Sequence, residues 1–274
     1  VIGNHIPSFK GNRWSFQTKG WQINQLRNSN IELEKDIEEK SKIDEMRKSF
    51  ISDVSHELKT PIALIQGYSE GLLENVNTDE ESRKFYAEVI LDETNKMDKL
   101  VKQLLELMKL EYGKRQFNDK KFNIVEVEKE VVRKSKVMLE EKKVKIEFNL
   151  SEEINVFADD FYIEQVISNY ITNAIKHVKE IDGKKVISIV NEVNIEKNKV
   201  RVKIFNTGEN IAEEHINRIW NRFYKVDESR NRTDGGTGIG LSFVKAIMNN
   251  YGNRYGVTNK EDGVEFYFDL DLIV

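Results

Sequence analysis

Two prolines in 274 residues, Pro7 and Pro61, leave long stretches of this chain free of helix breakers. From Gln22 to Arg47 the residues favour helix, and the apolar positions Leu26, Leu33, Ile37, Ile43 and Met46 are sparse. Leu26 to Leu33 and Ile43 to Phe50 are heptad steps, with a slip of register between Ile37 and Ile43. That pattern predicts a short dimeric coiled coil with a stutter. The helix is expected to run on to about Glu74 and to turn through residues 75–79, with Thr78 or Asp79 as the next N-cap. A second helix then runs to about Tyr112, with Phe85, Val89, Met97, Leu100, Leu104 and Met108 on one side and Gly113 as its stop. Two antiparallel helices enclose no core. Pairing two such hairpins in a four-helix bundle, a homodimer, is the economical solution.

Within the first helix, Phe50, Val54, Leu58 and Ile62 recur at intervals of four, so one side can pack on a partner. His56 and Thr60, also four apart, share a different face. Glu57 is next to His56 and can reach the same imidazole. A carboxylate on one ring nitrogen fixes the tautomer and leaves the other nitrogen as a nucleophile. Pro61 removes a helix hydrogen bond and crowds the Glu57 carbonyl, which predicts a kink one turn beyond the histidine.

Composition narrows the chemistry. The chain has no cysteine, which excludes disulfides, thiolate metal sites and cysteine nucleophiles. Its net charge is −4 with both signs interspersed, so no field for nucleic acid is implied. No window approaches the ~18 apolar residues of a membrane span. The first residue is Val rather than Met, as expected of a piece of a longer protein.

Residues 1–21 carry two glycines, a proline and no clear period, and read as loop. Residues 22–49 read as the coiled coil, 50–113 as the hairpin that carries His56, and 114–121 as a basic linker. Residues 122–274 read as a second domain of mixed helix and strand. There, 123–141 and 161–177 are expected as helices, and 144–150, 155–158, 185–192 and 200–205 as strands. Short helices over 213–220 and 241–251 precede two closing strands, 255–258 and 264–270. The expected class is α+β, with helices covering one face of a mixed sheet.

Two stretches of the second domain suit a nucleotide, and a third lies between them as a turn. Asn169 and Asn173, with Lys176 or His177, share one helical face at spacings of four, three and four. Amide carbonyls suit a hard Mg²⁺ ion that keeps several waters while bridging phosphates, and Lys176 can neutralise phosphate charge. Asn206-Thr207-Gly208-Glu209-Asn210-Ile211 follows an alternating strand as a turn. Gly235-Gly236-Thr237-Gly238-Ile239-Gly240-Leu241 opens a helix whose free N–H groups and dipole favour phosphate. The polar, basic run from Lys225 to Asp234 before it reads as a mobile lid.

The string Phe50-Ile51-Ser52-Asp53-Val54-Ser55-His56-Glu57-Leu58-Lys59-Thr60-Pro61 resembles the phosphoacceptor box of sensor histidine kinases. The Asn169–His177 stretch resembles the N box of that family's ATP-binding domain. Asn206–Ile211 resembles its first glycine box, Phe223-Tyr224-Lys225 its F box, and Gly236, Thr237, Gly238, Gly240 and Leu241 its second glycine box. The resemblance implies a dimeric four-helix bundle followed by an α/β-sandwich ATP-binding domain. It implies ATP-dependent phosphorylation of His56 with Glu57 as base, transfer to an aspartate of a response regulator, and a phosphatase role for Thr60. It also implies that Asn173 carries Mg²⁺ and that Asn169, Lys176 and His177 line the triphosphate. The parent is expected to be anchored in the membrane, with this portion in the cytoplasm. The first glycine box departs twice from the family's Asp-x-Gly-x-Gly, with Asn206 for the aspartate and Asn210 for the second glycine. Asn206 can still accept a bond from the adenine amine, as a neutral and weaker acceptor. A non-catalytic dimeric scaffold with a decayed nucleotide site is the alternative reading.

Overall fold

The computed structural model describes residues 11–76, 79–111, 116–149, 153–226 and 237–273. The chain divides into two compact units, residues 1–64 and 65–274. Helix α1 (Gly11–Leu73) spans 63 residues and runs through Pro61. It therefore starts within the stretch expected as loop. The glycines and mixed polarity there weaken a helix without stopping it, and no proline follows Pro7 until Pro61.

In the second unit α1 ends in a Schellman motif. Asn75 takes a left-handed φ of 51°, its N–H donates to Leu72 O at 3.3 Å, and Val76 N–H donates to Gly71 O at 3.1 Å. Asparagine tolerates that conformation because its short amide bonds locally. Helix α2 (Glu80–Glu111) then begins under Asp79, whose carboxylate accepts the Ser82 N–H at 2.7 Å. That bond holds the Asp79 carboxyl below its ordinary range. The expected Thr78 alternative and the Gly113 stop lie outside the described residues. Tyr68, Phe85 and Tyr86 pack edge to face where α1 meets α2, with centroids 4.8–6.3 Å apart.

The rest of the second unit is a mixed sheet under helices. Strand β1 (Lys120–Asn123) pairs antiparallel with β3 (Asn155–Ala158). The main sheet holds β2 (Lys145–Asn149), β4 (Val186–Asn194), β5 (Lys199–Thr207), β6 (Tyr255–Lys260) and β7 (Gly263–Asp271). Its order is β2-β4-β5-β7-β6, with β2 parallel to β4 and every other pair antiparallel. Alternation decides the faces. Ile187 and Ile189 of β4, Val200, Val202 and Ile204 of β5, and Val264, Phe266, Phe268 and Leu270 of β7 are buried.

Four helices belong with that apolar face: α3 (Ile124–Lys134), α4 (Lys136–Glu141), α5 (Asp160–His177) and α7 (Gly240–Tyr251), while α6 (Glu213–Ile216) is a single turn. Helix α5 buries Tyr162, Ile163, Val166, Ile167, Tyr170, Ile171, Ala174 and Ile175, the inward stripe expected of it. Tyr170 packs on Phe266 and Phe268 and donates its hydroxyl to Tyr267 O at 3.2 Å, so its polar end is satisfied.

The expected helix over 123–141 is two helices. Ser135 separates them, with its hydroxyl donated back to Val131 O at 2.9 Å in competition with the backbone. Strand β1 was not expected, and it takes residues 120 and 121 out of the expected linker. Its last residue, Asn123, has two tasks. The side-chain oxygen accepts Val125 N–H at 3.1 Å, capping α3, and Ile154 N–H at 3.2 Å, fixing the approach to β3.

Candidate functional site

His56 lies on the exposed side of α1, and Thr60 is exposed one turn further on. Among the described residues no side-chain bond ties the imidazole or the Thr60 hydroxyl. Glu57 is half-buried at the next position and has an interaction of its own. Phe50, Val54 and Leu58 are half-buried, whereas Ile62, expected on the same side, is half exposed. An open imidazole with a carboxylate at the next position is a free nucleophile with a proton acceptor nearby.

The second constellation gathers at one end of the sheet in the other unit. Asn169 and Asn173 are half-buried on α5, and Lys176 and His177 are exposed in its last turn. Asn169 donates to Gln165 O at 2.9 Å, and its Oδ1 would lie 2.7 Å from a Cβ built on Gly240. A side chain at position 240 would thus push Asn169 away. Asn173 uses neither amide atom on another described residue, which leaves its carbonyl for a ligand. Helix α7 opens at Gly240 with no side-chain cap and no acidic residue in its first turn. Its first N–H groups therefore stay available to anions. Leu241 is half-buried beside them.

The F box and the second glycine box meet backbone to backbone. Phe223 N–H donates to Gly238 O at 2.9 Å, and a Cβ on Gly238 would lie 2.7 Å from Phe223 Cα. Gly238 also has φ of 68°, so two independent reasons demand glycine. Tyr224 is turned to α6, where a 2.6 Å hydrogen bond links its hydroxyl to His215 Nδ1 and the Arg218 guanidinium lies 4.6 Å from its ring. Lys225 and Val226 are described, but residues 227–236, which hold the rest of the lid expected over 225–234 and Gly236, lie outside the described residues; Lys225 is half-buried.

The first glycine box is locked to the end of α5. Lys179 N–H donates to Thr207 O at 2.9 Å, Thr207 Oγ1 donates to Lys179 O at 2.8 Å, and Gly208 seats against His177 O. Asn206 is buried, and its Nδ2 donates to Thr207 O at 3.1 Å. With the amide nitrogen engaged, Oδ1 is left as an acceptor, the polarity an adenine amine needs. A carboxylate here would lose that donor bond and face the Thr207 carbonyl. Asn210 is exposed, while the next residue, Ile211, exchanges two bonds with the Asn259 side chain, at 3.0 and 2.7 Å.

Several contacts of the site had no signal in the sequence. Within the second unit, α2 packs on α7 and bonds to Thr237, to α5, to α7 and to the residue before the expected F box. Thr237 Oγ1 donates to Gln103 Oε1 at 3.3 Å, Tyr162 donates to Glu106 Oε1 at 2.5 Å, and Arg222 forms a two-bond ion pair with Glu111. Asn250 Nδ2 donates to Leu110 O at 3.0 Å. These partners lie 56 to 140 positions apart along the chain, so no local pattern announces them.

Two family models match the chain in the order its motifs suggest. The His Kinase A (phospho-acceptor) domain covers residues 46–113, and the histidine kinase-, DNA gyrase B-, and HSP90-like ATPase covers residues 158–273. The first contains His56, and the second contains Asn169, Asn173, Asn206 and the uncapped start of α7. The chain belongs to the sensor histidine kinases. Sensor protein SrrB of Staphylococcus aureus strain N315 is 31% identical over 226 residues, which is 82% of this chain and 38% of SrrB. The chain thus spans well under half the length of the curated relative it matches. Histidine kinase ThkA, solved in complex with the response regulator protein TrrA, is 27% identical with a TM-score of 0.62, covering 82% of this chain and 61% of ThkA. Acinetobacter baumannii histidine kinase AdeS, 24% identical with a TM-score of 0.63 over 80% of this chain and 98% of AdeS, shares the fold. No helix among the described residues is long and apolar enough to cross a membrane.

Asn206 offers the sharpest check on the base contact expected of it. Where its carbonyl takes the adenine amine, replacement by Leu removes that acceptor at a cost of about 1–3 kcal/mol. Titration of ATP and GTP against Asn206→Leu is expected to show ATP binding weakened roughly five- to hundredfold and selection against GTP reduced. Unchanged ATP affinity would mean that residue 206 does not touch the base.

Proposed function

We propose that this chain transfers the γ-phosphoryl group of ATP to His56 and then to an aspartate of a response regulator. The observation that carries the reading is the pair of constellations: an open imidazole with a neighbouring carboxylate, and a nucleotide end built from Asn169, Asn173, Asn206 and the uncapped N-terminus of α7. One ring nitrogen of His56 attacks the γ-phosphorus, the bond to the β-bridging oxygen breaks and ADP leaves. Glu57 turns to take the proton from the other ring nitrogen. Phosphoryl transfer of this kind rests on positioning and charge neutralisation. Mg²⁺, when bound, would neutralise charge on the phosphates. Asn173 would hold it, with Lys176 and His177 at the triphosphate.

Thr60 has the geometry for a further task. Its hydroxyl is exposed one turn from His56 and could hold a water against an aspartyl phosphate on the regulator. That a relative was solved with a response regulator supports the choice of partner. The apolar residues that the hairpin leaves in water support a homodimer: Ile51 is 63% exposed, Phe85 54%, Leu91 60% and Leu105 55%. Chemistry that consumes ATP and meets a regulator belongs in the cytoplasm, and the much greater length of SrrB supports a parent with further segments. No observation favours the decayed scaffold.

Two variants separate the steps. His56→Gln is expected to bind ATP normally and to take up no acid-labile, alkali-stable label from γ-labelled ATP. Labelling at the original rate would remove His56 from the mechanism. Thr60→Ala is expected to autophosphorylate within a few-fold of the original chain and to clear regulator phosphate at least tenfold more slowly. Normal clearance would leave Thr60 with helix packing alone.

A further inference from the structure

Glu128 is fully buried on the inner side of α3, a position a carboxylate rarely occupies without a charge partner. Its one side-chain partner is a neutral amide. Asn191 Nδ2, from β4, donates to Glu128 Oε2 at 3.0 Å. The other oxygen of each group, Glu128 Oε1 and Asn191 Oδ1, is buried without a partner, and no other buried side-chain nitrogen or oxygen among the described residues shares that condition. The two orphans thus belong to side chains already bonded to each other, and both are acceptors if the carboxyl is ionised.

A single proton removes both defects. Placed on Glu128 Oε1, it turns that atom into a donor toward Asn191 Oδ1 and closes the two-bond ring that carboxylic acids and amides form. We propose that the folded ATP-binding domain carries Glu128 as the neutral acid below neutral pH, paired with Asn191 in such a ring, as a proton-dependent lock between α3 and the sheet.

The charged surroundings fit this assignment. Lys129, next to Glu128 on α3, favours the ionised form but less than burial opposes it. On α5, which packs on α3, Glu164 is held by Lys134 at 2.6 Å. On α4, Glu140 faces Lys136 at 3.7 Å, and on β4, Glu192 pairs with Lys203, which lies on the sheet face opposite to Asn191. Burial pushes the Glu128 carboxyl up to about 7, from an ordinary value of 4.5. The unfolded chain therefore releases this proton at a lower pH than the folded chain. The favourable contribution is complete below pH 4.5 and is lost as pH rises through 7.

The wild-type chain, labelled with ¹³C at glutamate side chains, gives the direct test. The Glu128 carboxyl resonance is expected at the protonated position at pH 6 and to titrate near neutrality; a carboxylate resonance persisting down to pH 5 would overturn the proposal. Glu128→Gln keeps the shape and both hydrogen bonds without a proton to lose. Between pH 6 and pH 8 the unfolding equilibrium of the ATP-binding domain in urea is expected to shift toward unfolded by roughly tenfold beyond that of the Gln variant. Equal slopes in the two proteins would overturn the lock. ATP affinity at pH 6 is expected to be the same in both, since Glu128 lies outside the nucleotide machinery.

Discussion

The end of the sheet where the expected nucleotide motifs meet depends on contacts too close for a side chain to fit between them. Phe223 and Gly238 meet through their backbones, Gly240 lets Asn169 lie against the first residue of α7, and Gly208 seats on the last carbonyl of α5. Together these approaches bring the uncapped N–H groups of α7, the Asn173 amide and the Asn206 carbonyl to one end of the sheet. Each of these three groups is a weak ligand. Gathered at one end of the sheet on backbone approaches that leave little room to shift, they form the surface we propose for the nucleotide.

Much of this could be read from residue order, because the signals were local or periodic. The alternation Val200, Val202, Ile204 sets the inner face of β5, and the spacing from Ile163 to Ile175 sets that of α5. Asp79 announces the start of α2 three residues before the amide it caps. Glycines beside an expected helix start point to phosphate, and the structure places them at the start of α7. The string around His56 specified a helix with the histidine on a different face from Phe50, Val54 and Leu58, and there it is exposed while they are half-buried.

What could not be read depends on partners remote in the chain. Strand β1 is four residues with two lysines, and only its pairing with β3 makes it a strand. Ser135 breaks a helix that valine-rich periodicity would have continued. The apolar stripe of α2 fits a bundle seam, yet Leu107 and Leu110 are buried in the stretch that packs on α7. One stripe thus serves two neighbours, which periodicity cannot apportion. The orientation of the Asn206 amide follows from the Thr207 carbonyl beside it, a detail that residue identity alone leaves open.

The central claim is that the two constellations work on one phosphoryl group, and locating that group tests it most directly. The chain is incubated with Mg²⁺ and ATP, digested under alkaline conditions that preserve phosphohistidine, and mapped by mass spectrometry. The account predicts phosphate on His56 and on no other residue of the Phe50–Pro61 segment. Phosphate on a hydroxyl side chain such as Ser52, Ser55 or Thr60, or ATP hydrolysed with none retained, would contradict it.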